Sequence, residues 1–283
     1  MAELSQDKPV KRTVIDVDDV VQMVPRLRGH ERLVERLLHW LQIDRVNDVH
    51  SRGFDNPGPP FVKFLLEDFN IKLRIDNEQV LDHLPEGAFI TVSNHPFGAL
   101  DGIALIHMVA SRRPEYKVMV NMMLGRITAM KPNFIAVDQT ASDDPAKKAV
   151  SVQGIRQAIR QVRSGQPIGF FPAGAMSKMC RQGYLLDRKW QPNIISLIEK
   201  LDVPVIPIYF HGANSWLFDF LGVACWQLRT LRLPSEVWRK CNSTMHISIG
   251  DPISVEEQRQ HRGSTDEFGE WLKSKTYALR SWK

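Results

Sequence analysis

The sequence predicts an α/β fold, with a largely parallel central sheet flanked by helices and an N-terminal helical extension. Three observations carry this. Short apolar runs of strand length alternate with stretches of helical periodicity over most of the chain, the pattern of helices packed on a parallel sheet. The stretch Gly53-Phe54-Asp55-Asn56-Pro57-Gly58-Pro59-Pro60 is the strongest break, and divides a helical segment, residues 1–58, from an α/β domain, residues 59–283. Three polar or glycine-bearing segments follow expected strands, where such sheets bind ligands.

The elements follow in order. Val20, Val21, Val24 and Leu27 form one apolar helical face, and Leu33, Val34, Leu37, Leu38 and Leu41 form a second. Arg26, Arg28, Arg32 and Arg36 decorate them. A helical pair packed on the main domain has this pattern, and so does a basic amphipathic element resting on anionic lipid. A helix near residues 61–69 leads to a strand near 71–75. Strand 88–93 is followed by helix 103–109, and further strands are expected at 117–120 and 134–137. A long helix over 145–163 precedes a strand at 168–171. Residues 194–201 read as helical, and 203–210 and 246–249 as extended. There is no internal repeat and no low-complexity tract.

At 283 residues the chain can bury a substantial core, and its hydrophobic (43%) and charged (24%) fractions are those of a soluble or peripheral protein. Cys180, Cys225 and Cys241 are widely spaced, so neither a disulfide framework nor a zinc site is expected. The polar N-terminus carries no secretory signal, and no apolar run is long enough for a transmembrane helix. A formal charge of +5 suits an anionic partner such as a membrane surface or an acidic carrier. The aromatics do not alternate with basic residues as in a base-stacking platform, so no nucleic acid is expected.

The segment Asn94-His95-Pro96-Phe97-Gly98-Ala99-Leu100-Asp101 places a histidine and a carboxylate on one strand-to-helix turn. A His base oriented by a carboxylate can take a proton from a hydroxyl in acyl transfer. The same spacing suits a capping turn in which Asp101 closes the helix and His95 meets a backbone carbonyl. The segment Phe171-Pro172-Ala173-Gly174-Ala175-Met176-Ser177-Lys178, with Arg181 beyond it, could hold an anion or stabilise an oxyanion, or be an ordinary turn. Phe210-His211-Gly212-Ala213-Asn214-Ser215 offers a second histidine and a neutral donor and acceptor. The apolar stretch from Trp216 to Trp226, followed by Arg229 and Arg232, reads as a core helix, an acyl-chain wall or a membrane-facing surface. No Gly-x-Ser-x-Gly elbow, HExxH, Walker loop or dinucleotide fingerprint occurs, which leaves those enzyme classes without support.

Taken in order, these blocks resemble the glycerolipid (lysophospholipid) acyltransferase superfamily. Within it they are most similar to the hemolysin-like branch, which includes O-acyltransferases of ornithine- and glycine-lipid synthesis. The resemblance runs from about Phe61 to Ile253. It rests on Asn94-His95-Pro96 with Asp101-Gly102, Phe134-Ile135-Ala136-Val137-Asp138, Phe171-Pro172-Ala173-Gly174 with Ser177, and Val203-Pro204-Val205-Ile206-Pro207. Asp187-Arg188-Lys189-Trp190 and the segment from Phe210 to Ser215 resemble stretches typical of that branch.

The resemblance implies His95 as general base on an acceptor hydroxyl, oriented by Asp101. The acyl donor would be a thioester of acyl carrier protein or coenzyme A, with no other cofactor and no metal. It implies substrate contacts from Asn94 and Gly98, from Pro172, Ala173, Gly174, Ser177, Lys178 and Arg181, and from His211 and Asn214. It also implies a peripheral enzyme on the cytoplasmic face of the cell's inner membrane. Five residues separate His95 from Asp101, one more than is usual in the superfamily but shared by this branch. Ala173 and Met176 stand where typical relatives carry the Glu and Arg of a Phe-Pro-Glu-Gly-Thr-Arg-Ser block. The second block also lacks its usual arginine. An amino-acid-containing lyso-lipid is therefore expected ahead of a glycerol phosphate acceptor, with Lys178, Arg181 and Arg126 as replacement anion contacts. The alternatives are a 1-acylglycerol-3-phosphate-type acyltransferase and a non-catalytic membrane-binding protein on the same fold.

Overall fold

The computed structural model describes residues 11–138, 144–180, 184–218, 221, 229 and 232–281. A seven-stranded sheet forms its centre, from β1 (Lys72–Asp76), β2 (Ile90–Ser93), β3 (Lys117–Asn121), β4 (Phe134–Val137), β5 (Ile168–Phe170), β8 (Val205–His211) and β9 (Thr244–Ile249). The spatial order is β1-β9-β8-β2-β5-β3-β4. Every neighbouring pair is parallel except β8 with β9. Between β5 and β8 in the chain, β6 (Lys178–Met179) and β7 (Leu185–Leu186) make a small antiparallel hairpin. The α/β class and the largely parallel sheet are as the sequence predicts.

Helices cover both faces. On one face α4 (Pro59–Asp68) and α5 (Ala99–Ala110) bury Phe61, Val62, Leu65, Ile103 and Ile106 against Val118, Ile206, Ile208 and Ile247 of the sheet. On the other, α6 (Pro145–Arg163), α7 (Pro192–Leu201) and α10 (Thr265–Ala278) bury Ala158, Ile195, Ile198 and Phe268 against Ile90, Val92, Ile135 and Ile168. β2 is buried at every position because both of its faces are covered, and its polar residues Thr91 and Ser93 are buried along with Ile90 and Val92.

Local chemistry sets the helix ends. Asp144 accepts a hydrogen bond from the Ala146 N–H and Pro145 opens α6, a cap and a first-turn proline acting together. Ser264 and Glu267 form a reciprocal capping box on α10, and Ser254 caps α9 (Val255–Gln260). These two helices, α8 (Leu233–Arg239) and the β6–β7 hairpin are additions to the sequence-based pattern.

The N-terminal segment holds three helices, α1 (Val17–Met23), α2 (Glu31–Trp40) and α3 (Ile43–Gly53). His50 ties α3 inward: its Nδ1 donates to the Arg12 carbonyl at 2.6 Å and its Nε2 accepts from the Ala129 N–H at 3.3 Å. On α2 only Val34 is buried, whereas Leu33, Leu37 and Trp40 are 60%, 44% and 71% exposed. Among the described residues no helix is long and apolar enough to cross a membrane.

Candidate active site

β2 lies between β8 and β5, parallel to both, so the carboxyl ends of these three strands are side by side. The turns that follow them are therefore brought together, an adjacency the sequence alone does not establish. Hydrogen bonds then join the turns. The Asn94 side chain accepts from the Phe210 N–H at 2.7 Å and donates to the Phe210 carbonyl at 2.9 Å. Asn214 Nδ2 donates to the Pro96 carbonyl at 2.9 Å, and the Ser177 N–H donates to the His95 carbonyl at 2.9 Å.

The strand-to-helix turn holds the histidine and the carboxylate that the sequence places together. His95 Nδ1 lies 2.9 Å from Asp101 Oδ2, with the imidazole side chain 19% exposed and the carboxylate fully buried. The approach is within ion-pair range but is not a linear hydrogen bond. The same Oδ2 accepts from the Phe97 N–H at 2.8 Å and the Gly98 N–H at 3.0 Å. Burial holds the Asp101 carboxyl above its ordinary range, opposed by His95 and those two amides. The imidazole stacks on Phe171, with ring centroids 4.1 Å apart, which restricts its rotation. Gly98 has φ of +74°, and a Cβ there would lie 2.9 Å from Met176 Sδ and 3.1 Å from Leu233 Cδ2. The turn thus needs glycine for both conformation and space.

A family model described as an acyltransferase matches residues 27–282. The chain belongs to this acyltransferase family. The acyltransferase is 25% identical over 280 residues to a lyso-glycine lipid O-acyltransferase of Bacteroides thetaiotaomicron, covering 94% of this chain and 97% of the relative. It is 26% identical over 229 residues to a lyso-glycine lipid O-acyltransferase of Phocaeicola vulgatus, covering 78% of each. Among solved structures it is similar to the 1-acyl-sn-glycerophosphate acyltransferase PlsC of Thermotoga maritima at 14% identity and a TM-score of 0.47, covering 89% of this chain and 96% of that one.

The remaining expected site residues of the acyltransferase are dispersed. Pro172, Ala173 and Gly174 form a turn closed by the Gly174 N–H on the Phe171 carbonyl at 2.9 Å, and Gln191 packs against it. Ser177 is buried, its hydroxyl donating to Asp187 Oδ1 at 2.6 Å, so this side chain braces the loop rather than facing the cleft. Lys178 is adjacent, and burial with the nearby guanidinium groups of Arg188 and Arg229 depresses its ammonium. Arg181 lies outside the described residues, as does most of the stretch from Trp216 to Trp226. Arg126 is engaged elsewhere, 3.5 Å from Asp19 Oδ1 on α1.

His211 is turned toward β9 rather than toward His95. Its Nε2 is 2.8 Å from Ser248 Oγ, and its ring stacks on His246 with centroids 4.0 Å apart. Burial and the neighbouring His246 push it down to about 4, so it is neutral at physiological pH. Asp76 Oδ2 completes this cluster, 2.8 Å from Ser248 Oγ and 2.5 Å from His246 Nε2. Asp76, His211 and His246 are the grouping among the described residues that could hold a metal ion. In this conformation the carboxylate oxygen is committed to two protein donors, and Arg74 Nε stands 4.0 Å from its other oxygen. Two further residues near His95 have no site role in the sequence reading: buried Asp187, named there only within a branch-typical stretch, and buried Arg229, named only as a flanking base, whose Nη2 donates to the Ser177 carbonyl at 2.7 Å.

Proposed function

We propose that this acyltransferase moves a fatty acyl group from a thioester of acyl carrier protein or coenzyme A to the hydroxyl of an amino-acid-containing lyso-lipid, of the glycine-lipid type. The observation that carries the reading is the His95–Asp101 pair beside a third block in which Ala173 and Met176 replace charged residues. The names of the two curated relatives support the choice of acceptor. Lys178 and Arg181 are the residues proposed to meet the acceptor carboxylate.

The mechanism follows from the pair. With Nδ1 facing Asp101, Nε2 is the nitrogen left to take the proton of the acceptor hydroxyl. The acceptor oxygen attacks the thioester carbonyl carbon and gives a tetrahedral oxyanion. When that collapses, the carbon–sulfur bond breaks, the ester remains on the acceptor, and the imidazolium returns its proton to the leaving thiolate. Asp101 stabilises the transient imidazolium and holds the ring. Backbone amides of the clustered turns are the proposed oxyanion donors.

The lipid acceptor requires access to a bilayer. Exposed Leu33, Leu37 and Trp40 on α2, together with exposed Trp216 and Leu217, support peripheral attachment, with nearby arginines suited to anionic lipid. The cytoplasmic face of the membrane is the proposed location because both thioester donors are made there. Mass spectrometry of lipids from cells with and without the gene tests the acceptor. Loss of an acyloxyacyl amino-acid lipid with accumulation of its lyso precursor is expected, and loss of phosphatidic acid alone would assign the other acceptor.

A further inference from the structure

Asp187 follows the β6–β7 hairpin and is buried beneath the Asn94–Asp101 turn. Its Oδ1 accepts from Ser177 Oγ at 2.6 Å and, at 3.4 Å, from the His95 backbone N–H. Its Oδ2 accepts from Trp190 Nε1 at 3.2 Å. Ser177 in turn donates its own N–H to the His95 carbonyl. Both backbone polar groups of His95 are therefore held by one hydrogen-bonded unit, Ser177 with Asp187. The carboxylate only accepts, as its ionised form does.

Charged and polar groups surround this unit. Tyr277 Oη accepts from the Asp187 N–H at 2.8 Å, and Lys273 Nζ donates to the carbonyls of Asp187 and Arg188 at 3.2 Å each. Arg229 holds the Ser177 carbonyl, Lys178 is the next residue, and Tyr209 packs on Tyr277. Burial raises the Asp187 carboxyl, opposed by its bonds to Ser177 and Trp190 and by the charge of His95. His95 thus has two buried carboxylates within electrostatic reach: Asp101 at its ring nitrogen and Asp187 at its backbone.

We propose that Asp187 is a positioning residue for His95: with Ser177 it fixes the backbone of the base, and its negative charge favours the imidazolium formed when the acceptor proton is taken. The proposal rests on the role given to His95 above. A carboxyl that stayed uncharged in the folded chain and only completed the packing around Trp190 would leave the titration of His95 unchanged on replacement by an amide.

The test uses the full chain carrying Asp187→Asn, with Ser177→Ala as a second variant. The His95 imidazole is followed by NMR as pH is varied, its signal identified by its loss in His95→Gln. In folded Asp187→Asn the midpoint of His95 should fall by about half a unit or more, because a nearby anion is removed. Turnover at neutral pH should fall by roughly tenfold or more with KM for donor and acceptor little changed, the mark of an interaction made in the transition state. Ser177→Ala should lower kcat in the same direction. An unmoved His95 midpoint in folded Asp187→Asn overturns the proposal, as does a rise in KM with kcat intact. If Asp187→Asn does not fold, wild-type kcat in Ser177→Ala overturns it. The NMR arm needs no substrate, so it decides this proposal even if no lyso-lipid is turned over.

Discussion

A single oxygen, Asp101 Oδ2, performs two tasks that the sequence presents as alternatives. It closes the turn through the Phe97 and Gly98 amides, and it faces His95 Nδ1. Burial raises this carboxyl, so the folded chain binds its proton more readily than the unfolded chain does. The resulting stabilisation is fully present below the unfolded value of about 3.9 and is lost as pH rises through the folded value. Asp101→Asn should therefore flatten the acid side of the stability–pH curve, measured by chemical denaturation at a series of pH values, while abolishing most turnover. Gly98→Ala should cost about 1–3 kcal/mol, read from the urea midpoint, because a Cβ is forced into a positive-φ position against Met176. His95 and Asp101 were legible in the sequence because they share one short turn. Asp187 is legible only as part of a branch-typical stretch, and its contact with His95 is not, because the two stand 92 residues apart across a hairpin that no periodicity announces.

At the level of elements, the site depends on β2 having β8 and β5 as parallel neighbours. Asn94 locks one of those pairings through two hydrogen bonds to Phe210. Asn94→Ala should destabilise the chain by about 1–3 kcal/mol, since buried backbone groups lose their partners. Equilibrium unfolding measures that loss, and turnover should fall with it as the His95 turn loosens. The central strands and α6 were readable from apolar runs and helical spacing. The antiparallel pairing of β9 with β8 was not, because pairing direction leaves no mark in the short alternating run His246-Ile247-Ser248-Ile249. The C-terminal helices had a signal of another kind: Ser254 with Glu257, and Ser264 with Glu267, have the spacing of a helix cap. The role expected for His211 illustrates the converse limit, since a histidine at a strand end gives no indication of which way its ring turns. Here it stacks on His246 of the neighbouring strand.

Across the whole molecule, a chain of formal charge +5 presents an apolar row on α2 beside Arg26, Arg28, Arg32 and Arg36. Replacing Leu33, Leu37 and Trp40 together by Ser should weaken binding to vesicles containing anionic lipid by at least about tenfold, given roughly 1.5–3 kcal/mol for each fully buried side chain. Co-sedimentation measures this, and binding by the parent chain should weaken as salt is raised. Activity on detergent-dispersed acceptor should survive, because none of the three residues belongs to the His95 site. The molecule as a whole is proposed to transfer an acyl group to a lyso-lipid hydroxyl with His95 as base. Its most direct test is turnover of purified wild type and His95→Ala with acyl-carrier-protein and acyl-CoA donors and a panel of lyso-lipids. Wild type should esterify a lyso-glycine-type acceptor, and His95→Ala should be slower by about 10²–10⁴-fold with its fold intact. Equal turnover by the two proteins would exclude His95 as the base.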